Sequence, residues 1–271
     1  MAIVNRTPDS FYDRGRTFAL GAAVTHALAH VAEGADIIDV GGVRAGPGEH
    51  VSRSDEIDRI APFVKAFREQ SDAPLSVDTF RADVARAALD AGADLINDVS
   101  GLADPEIADV VAAYPDAALV VMHPGGPPRT RPFRPSYEPD CTTAVTTACG
   151  ELADVAQQRG VAGDRIIVDP GHDFGKNTFQ SLEVTRRLPE LVALGYPVLV
   201  ALSRKDFIGE ALGGLGPDER LEGSLACAAL SVALGARIVR VHDTRATVRA
   251  VRTTQAVVGM RLPPSALRGL E

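Results

Sequence analysis

Where its apolar runs stop, this chain places polar residues of the kinds that do chemistry: Asn5; Asp39; Asp78; Asn97 and Asp98; His123; Asp169; Ser203, Arg204 and Lys205; and Arg240, His242 and Asp243. Turns by themselves call for Asp and Asn after strands, and that plain explanation covers Asp39 and Asp98. It does not account for a lysine, two arginines, two histidines and several carboxylates in the same setting. The set divides into two halves. Asp78, Asn97 and Asp169 offer acceptors, with an amide donor from Asn97, and a carboxylate pairs bidentately with an amidine-like N–C–NH2 edge, so this half suits an amino-substituted heterocycle. Asn5, Arg240 and His242 are rich in donors and suit phosphate. Lys205 could bridge the halves.

These residues need elements to carry them. Short apolar runs predict strands at about 2–5, 36–40, 74–78, 94–98, 117–122, 165–169, 197–202 and 237–242, and Ala-rich segments between them predict helices near 19–33, 54–69, 81–91, 105–114, 142–160, 180–194, 219–235 and 245–257. Eight strands, each followed by a helix, argue a parallel sheet covered by helices. That count in this length fits a single-domain (β/α)8 barrel, in which every strand's C-terminal end opens into one mouth. The first and eighth strands are neighbours there, which brings Asn5 to Arg240 and His242. Gly34, Gly92 and Gly235 stand between a helix and the next strand, where a left-handed residue closes the helix. The Gly213-Gly-Leu-Gly216 run lacks a following GK[ST] and reads as a connection, not a phosphate loop.

Composition excludes several classes. With 28 basic and 36 acidic residues the net charge is −8, and no basic tract offsets it, which argues against nucleic acid and anionic membranes as partners. Cys141, Cys149 and Cys227 have no metal-ligand spacing and read as small hydrophobes in a reducing cytoplasm. The apolar stretch 191–202, broken by Gly195 and Pro197, is too short to span a bilayer. The chain opens directly into Ala2-Ile3-Val4, the expectation being that natural residues precede Met1.

Taken in order, the motifs resemble dihydropteroate synthase over nearly the whole chain. They are Asn5-Arg-Thr-Pro-Asp-Ser-Phe11-Tyr-Asp13, Ile37-Ile-Asp-Val-Gly-Gly42, Ser76-Val-Asp-Thr79, Ile96-Asn-Asp-Val99, Met122-His123, Asp169-Pro-Gly-His-Asp-Phe-Gly-Lys176, Ser203-Arg-Lys205 and Arg240-Val-His-Asp243. Each alone is weak; the order and spacing identify the family. The resemblance implies condensation of a dihydropterin pyrophosphate with p-aminobenzoate, with loss of pyrophosphate. It places the pterin on Asp78, Asn97, Asp169 and Lys205, and the pyrophosphate on Asn5, Arg240 and His242, with Asn5 also reaching a Mg2+. It gives Asp78, Lys205 and Asp13 catalytic roles and puts p-aminobenzoate among Phe11, Ala45, Gly46, Pro47, Phe174 and residue 206. It further implies a homodimer. Departure of pyrophosphate leaves a cation on the pterin, which Asp78 could stabilise.

The departures fall at one end. Where the family reads Glu-Ser-Thr-Arg-Pro-Gly, this chain has Val43-Arg44-Ala45-Gly46-Pro47-Gly48, so the Thr and Arg that in the family touch pyrophosphate and shape the p-aminobenzoate pocket are lost. Arg44 is displaced from the lost arginine and its side chain is expected to point elsewhere. A family Ser after Ser203-Arg-Lys205 is Asp206, a carboxylate facing the substrate's carboxylate, repulsive by about 1 kcal/mol at ~4 Å in water and more when dry. Arg6 and Arg14 alter the first loop, and His172 and Asp173 replace an apolar residue and Gly before Phe174. The pterin end is intact and the second-substrate end rebuilt. In this the chain is similar to the inactive second dihydropteroate synthase of actinobacteria, a resemblance shared by Asp173-Phe-Gly-Lys-Asn-Thr-Phe179 and Arg131-Pro-Phe-Arg134.

Three readings stay open: a pterin-site barrel with weak or no synthase activity, an active synthase, and an enzyme with a different second substrate. A methyltransferase-type pterin barrel has no need of Arg240, His242 or Ser203-Arg-Lys205. Elsewhere, His26 and His30 stand at two-histidine spacing with no third ligand and are expected to face solvent. Arg129, Arg131 and Arg134 read equally as a solvated charge run or as a clamp for an anion or a partner. Lys176 is expected in a structural or rim role.

Overall fold

Residues two apart in a strand share a face, so Ile3 with Asn5, Asp39 with Gly41, Ser76 with Asp78, Leu95 with Asn97 and Ile167 with Asp169 must point the same way. In the computed structural model, which describes residues 1–7, 19–44, 46–130, 136–265 and 268, that way is the inside of a barrel. The strands are β1 (Ala2–Asn5), β2 (Ile38–Gly41), β3 (Leu75–Asp78), β4 (Leu95–Asp98), β5 (Ala118–Met122), β6 (Ile166–Asp169), β7 (Leu199–Val200) and β8 (Ile238–Val239). The helices are α1 (Leu20–Ala32), α2 (Arg53–Arg68), α3 (Ala82–Asp90), α4 (Glu106–Ala112), α5 (Cys141–Gln158), α6 (Thr178–Arg186), α7 (Leu188–Val192), α8 (Asp206–Ala211), α9 (Leu221–Ala233) and α10 (Thr244–Val257).

β1 to β6 pair in sequence order and in parallel, with Asn5 beside Gly41, Gly41 beside Asp78 and Asp78 beside Asn97. β7 pairs with β8. The ring closes through single bridges, Val168 to Val198 and Ala2 to Val241. Met1, Leu95, Val120, Ile167 and Leu199 form an inner apolar cluster, while a larger cluster that includes Val4, Ile38, Val77, Ile96, Val121 and Val168 from the strands packs them against the helices. This is the expected (β/α)8 barrel.

Three local expectations need correction. The last two strands are shorter than the runs 197–202 and 237–242, and beyond them the hydroxyl of Ser203 accepts the backbone N–H of His242 at 3.2 Å, where a ladder would use a carbonyl. The helix expected at 180–194 is two, α6 and α7, with Pro189 in the first turn of the second. A proline has no N–H and clashes with the carbonyl four residues back, which favours a break here, although α2 carries Pro62 in its interior. α8 was not expected at all, because six residues after Ser203-Arg-Lys205 carry too little periodicity to read. Gly34, Gly92 and Gly235 do take left-handed φ of 98°, 108° and 109°.

His30 is the fourth correction. It is buried at 5% exposure, with Nδ1 at 2.8 Å from Thr244 Oγ1 and Nε2 at 3.0 Å from His26 Nε2. Burial, helped by His26, pushes its pKa down to about 4. The unfolded chain therefore binds the extra proton, and the stability contributed by neutral His30 is present above pH 6.5 and lost as pH falls toward 4. Wild type should lose about 2–3 kcal/mol more over that window than His30→Asn, read from urea midpoints. Parallel pH profiles for the two proteins would refute it.

Candidate functional site

The inward positions of β2, β3, β4 and the segment after β8 meet in a buried polar network. Asp39 is fully buried and accepts from Ser76 Oγ at 2.5 Å and from Arg240 Nε at 2.6 Å. Asn97 Nδ2 lies 3.4 Å from the same carboxylate. The turn explanation fails for Asp39, whose place two residues before Gly41 turns it inward. It holds for Asp98, which faces outward and accepts the backbone N–H groups of Ser100 and Leu102 at 2.9 and 2.5 Å. Strand parity was the signal that distinguishes them.

Arg240 also donates from Nη2 to Asp78 Oδ2 at 3.0 Å, so one guanidinium serves two buried carboxylates. Burial pushes the Asp78 carboxyl up to about 7, with Arg240 opposing and Asp39 adding to the rise. For Arg240, burial works against the charge, but Asp39 and Asp78 outweigh it and raise the pKa. His242 is pushed down to about 3 by burial and by Arg240, so its ring is neutral at pH 7. Its Nδ1 lies 3.0 Å from Ser203 Oγ. Asp169 is buried, which raises its pKa against Lys205 and the Gly171 N–H, the latter donating at 2.7 Å. Asn97 Oδ1 is buried without a donor among the described residues, a group whose desolvation costs about 1–3 kcal/mol until an N–H reaches it.

Above this network a cavity of about 130 Å³ is lined by Asn5, Thr7, Arg44, Gly46, Asp78, Asp173, Ser203, Lys205, Asp206, Arg240 and His242, among others. It joins the donor-rich residues to Asp78 and Lys205. Asn97 and Asp169 lie outside that lining, buried at 1% and 3% exposure. Arg44 lines the same cavity as Gly46, contrary to the expectation that it points away. Pro47 is exposed. Phe174 is buried, with the Lys205 ammonium 4.9 Å from its ring centre. Lys205 also donates to the carbonyl of His172. Phe11, Asp13, Arg14, Ala45, Arg131 and Arg134 lie outside the described residues. A larger cavity of about 210 Å³ beside α10 contains none of these strand-end residues.

The loops around the mouth are tied from below. Lys176 is not on the rim: it is fully buried, donating to the carbonyls of Gly171 and Phe174 at 2.9 and 3.0 Å, with His123 Nδ1 at 2.8 Å. Burial pushes its pKa down to about 7. A Cβ on Gly171 would stand 2.2 Å from the His123 carbonyl oxygen, so only glycine allows the β6–α6 segment this close. Arg129 binds protein, with Nη2 donating to the Glu49 carbonyl at 2.7 Å and Nε to the Gly46 carbonyl at 3.4 Å. All three cysteines are unbridged, two of them buried. No helix among the described residues is long and apolar enough to cross a membrane.

Residues 1–242 match the family of pterin binding enzymes. The inactive dihydropteroate synthase 2 of Mycobacterium leprae is 52% identical over 275 residues, covering 100% of this chain and 94% of its own. The chain belongs to the dihydropteroate synthase family. The dihydropteroate synthase of Synechocystis is 42% identical over 259 residues, covering 95% of this chain and 89% of its own. The Xanthomonas albilineans dihydropteroate synthase in complex with 7,8-dihydropteroate superimposes with a TM-score of 0.83 at 40% identity, over 97% of this chain and 94% of that one. Within the dihydropteroate synthase family, this chain is thus more similar to a relative named inactive than to the Synechocystis enzyme.

Proposed function

We propose that the protein is a pterin-binding barrel of the dihydropteroate synthase family that takes a dihydropterin diphosphate and is weak or inactive in its condensation with p-aminobenzoate. The observation that carries this reading is the composition of one cavity. Its donor-rich residues Asn5, Arg240 and His242 meet Asp78 and Lys205, while its other wall presents Arg44, Gly46 and Asp206. The first set suits a diphosphate. The second lacks an arginine at position 46 for a carboxylate. Asn97 Oδ1, buried and without a donor among the described residues, suits the N–H edge of a pterin, and Asp169 and Asp78 supply the remaining acceptors. Asp13 and Phe11, on the first loop, belong to the catalytic and second-substrate sets in this reading.

Asn5 would hold a Mg2+ that arrives with the diphosphate. Among the described residues no three His, Cys, Asp or Glu side chains stand together to hold an ion, and Mg2+ commonly binds through substrate phosphates with few protein ligands. When bound, the ion supplies charge stabilisation to the departing diphosphate. Arg240 and neutral His242 then orient the diphosphate by donated hydrogen bonds, and Asp78 faces the charge that develops on the ring.

We place the protein in the cytoplasm as a homodimer. Unbridged cysteines support the first. The apolar sequence of α9, with Ala226, Leu230 and Ala233 exposed, supports the second. Light scattering reads the mass directly.

The deciding experiment is calorimetric titration with dihydropterin pyrophosphate and Mg2+, followed by p-aminobenzoate. Pterin binding without turnover is the expected result. Turnover at the rate of an ordinary synthase would show a working enzyme, and absence of pterin binding would show that the pterin residues no longer serve.

A further inference from the structure

Asp173 bears a side chain at a backbone angle made for glycine, φ 64°, a left-handed conformation that side chains disfavour. The carboxylate held there is deeply engaged. Its Oδ2 accepts the backbone N–H of Asp206 at 2.8 Å, and the Phe207 N–H bonds to the same carboxylate. Ser181 Oγ lies 3.4 Å from Oδ1 and 3.3 Å from the Asp173 amide. Burial raises the carboxyl pKa, while Lys205 and the two backbone donors pull it back toward the charged form. Asp206 behaves differently. Its carboxylate turns to Arg220, 2.8 Å away, with the side chain 62% exposed. Both residues line the cavity, but only Asp173 takes backbone donors there. The like-charge conflict assigned to Asp206 from the sequence therefore belongs chiefly to Asp173.

We propose that Asp173 sets the specificity of the second-ligand end: its carboxylate occupies the donors beside Lys205 that an anionic ligand would need, and so excludes carboxylates while leaving the cavity open to neutral amines. This rests on the reading of the cavity as the family's two-ligand site. An anion entering would have to displace a tethered carboxylate that competes at high effective concentration, and would meet its charge at short range. Arg220 already neutralises Asp206, so changing residue 206 alone relieves little.

The test compares 4-aminobenzoate with its neutral amide, 4-aminobenzamide, by calorimetry. The proteins are wild type, Asp173→Gly, Asp173→Asn and Asp206→Ser, each with and without 6-hydroxymethyl-7,8-dihydropterin plus pyrophosphate and Mg2+. Asp173→Gly should bind 4-aminobenzoate at least about tenfold more tightly than wild type, about 1.4 kcal/mol, with 4-aminobenzamide changed less than about threefold. Asp173→Asn, which keeps the size and removes the charge, should shift in the same direction. Asp206→Ser should gain less than about threefold. Glycine suits the backbone angle, so the thermal midpoint of Asp173→Gly should not fall, and a circular dichroism melt checks it. A larger gain from Asp206→Ser, an equal gain for acid and amide, or no gain in Asp173→Gly would each overturn the proposal. The pterin titration of wild type is scored separately. A gain of anion binding in Asp173→Gly without pterin binding would support the role of Asp173 and defeat the pterin reading, and the converse result would do the reverse.

Discussion

Arg240→Met should destabilise the protein by about 3–5 kcal/mol at pH 8, the usual cost of leaving buried charges without their partner, and should abolish diphosphate binding. The arginine lies 2.6 Å from Asp39 and 3.0 Å from Asp78, and both carboxylates are buried. Methionine fills the volume and removes the charge, so two carboxylates are left facing each other in the barrel. The loss should shrink as pH is lowered to 5. Asp78 already titrates near 7 with Arg240 opposing the rise, so without the arginine its pKa moves higher still. A raised carboxyl pKa contributes stability that is full below about 4 and declines as pH rises through the folded-state value. In the variant that decline extends further up the scale, and the gap to wild type widens with pH. Urea midpoints at pH 5 and 8 measure it. A loss under 1 kcal/mol, or one equal at the two pH values, would defeat the account, and Asp39→Asn with Asp78→Asn added to Arg240→Met should recover most of the stability at pH 8.

That network also marks how far the sequence could be read. Short apolar runs alternating with helical segments set the barrel, and polar residues at strand ends named Asn5, Asp78, Arg240 and His242, which line one cavity. Asp39 was misread because an aspartate near a strand end serves turns as well as cores, and only its parity with register partner Ser76 distinguishes the two. His30 was misread for a different reason. Its partner Thr244 is 214 residues away, and no local pattern shows that α10 covers that face of α1. Asp173 was noticed as a departure, but its weight depends on the Asp206 amide, 33 residues on. Contacts of this kind arise from closure of the barrel, which brings the β6–α6 segment against the start of α8.

The same closure predicts which substitutions restore chemistry. Ala45→Thr, Gly46→Arg and Asp206→Ser together return the family's residues to the second-substrate end, yet they leave the Asp173 carboxylate in place. Turnover of p-aminobenzoate by this triple variant should stay within about tenfold of wild type, because like charges at short range in a dry site cost several kcal/mol. Adding Asp173→Gly should raise turnover by at least about 100-fold over the triple variant, equivalent to roughly 2.7 kcal/mol of transition-state stabilisation. The gain should appear mainly in the p-aminobenzoate KM, since the contact removed repels substrate and transition state alike. Arg44, which lines the cavity beside Gly46, would then compete with the new arginine for the same anion, so Arg44→Ser in the quadruple background should change turnover by less than about threefold. Equal turnover in the triple and quadruple variants would place the defect elsewhere, with Arg6 and Arg14 of the first loop the residues to exchange next. A triple variant already as active as the quadruple would return the burden to Asp206, and the ion pair with Arg220 would then be too weak to neutralise it.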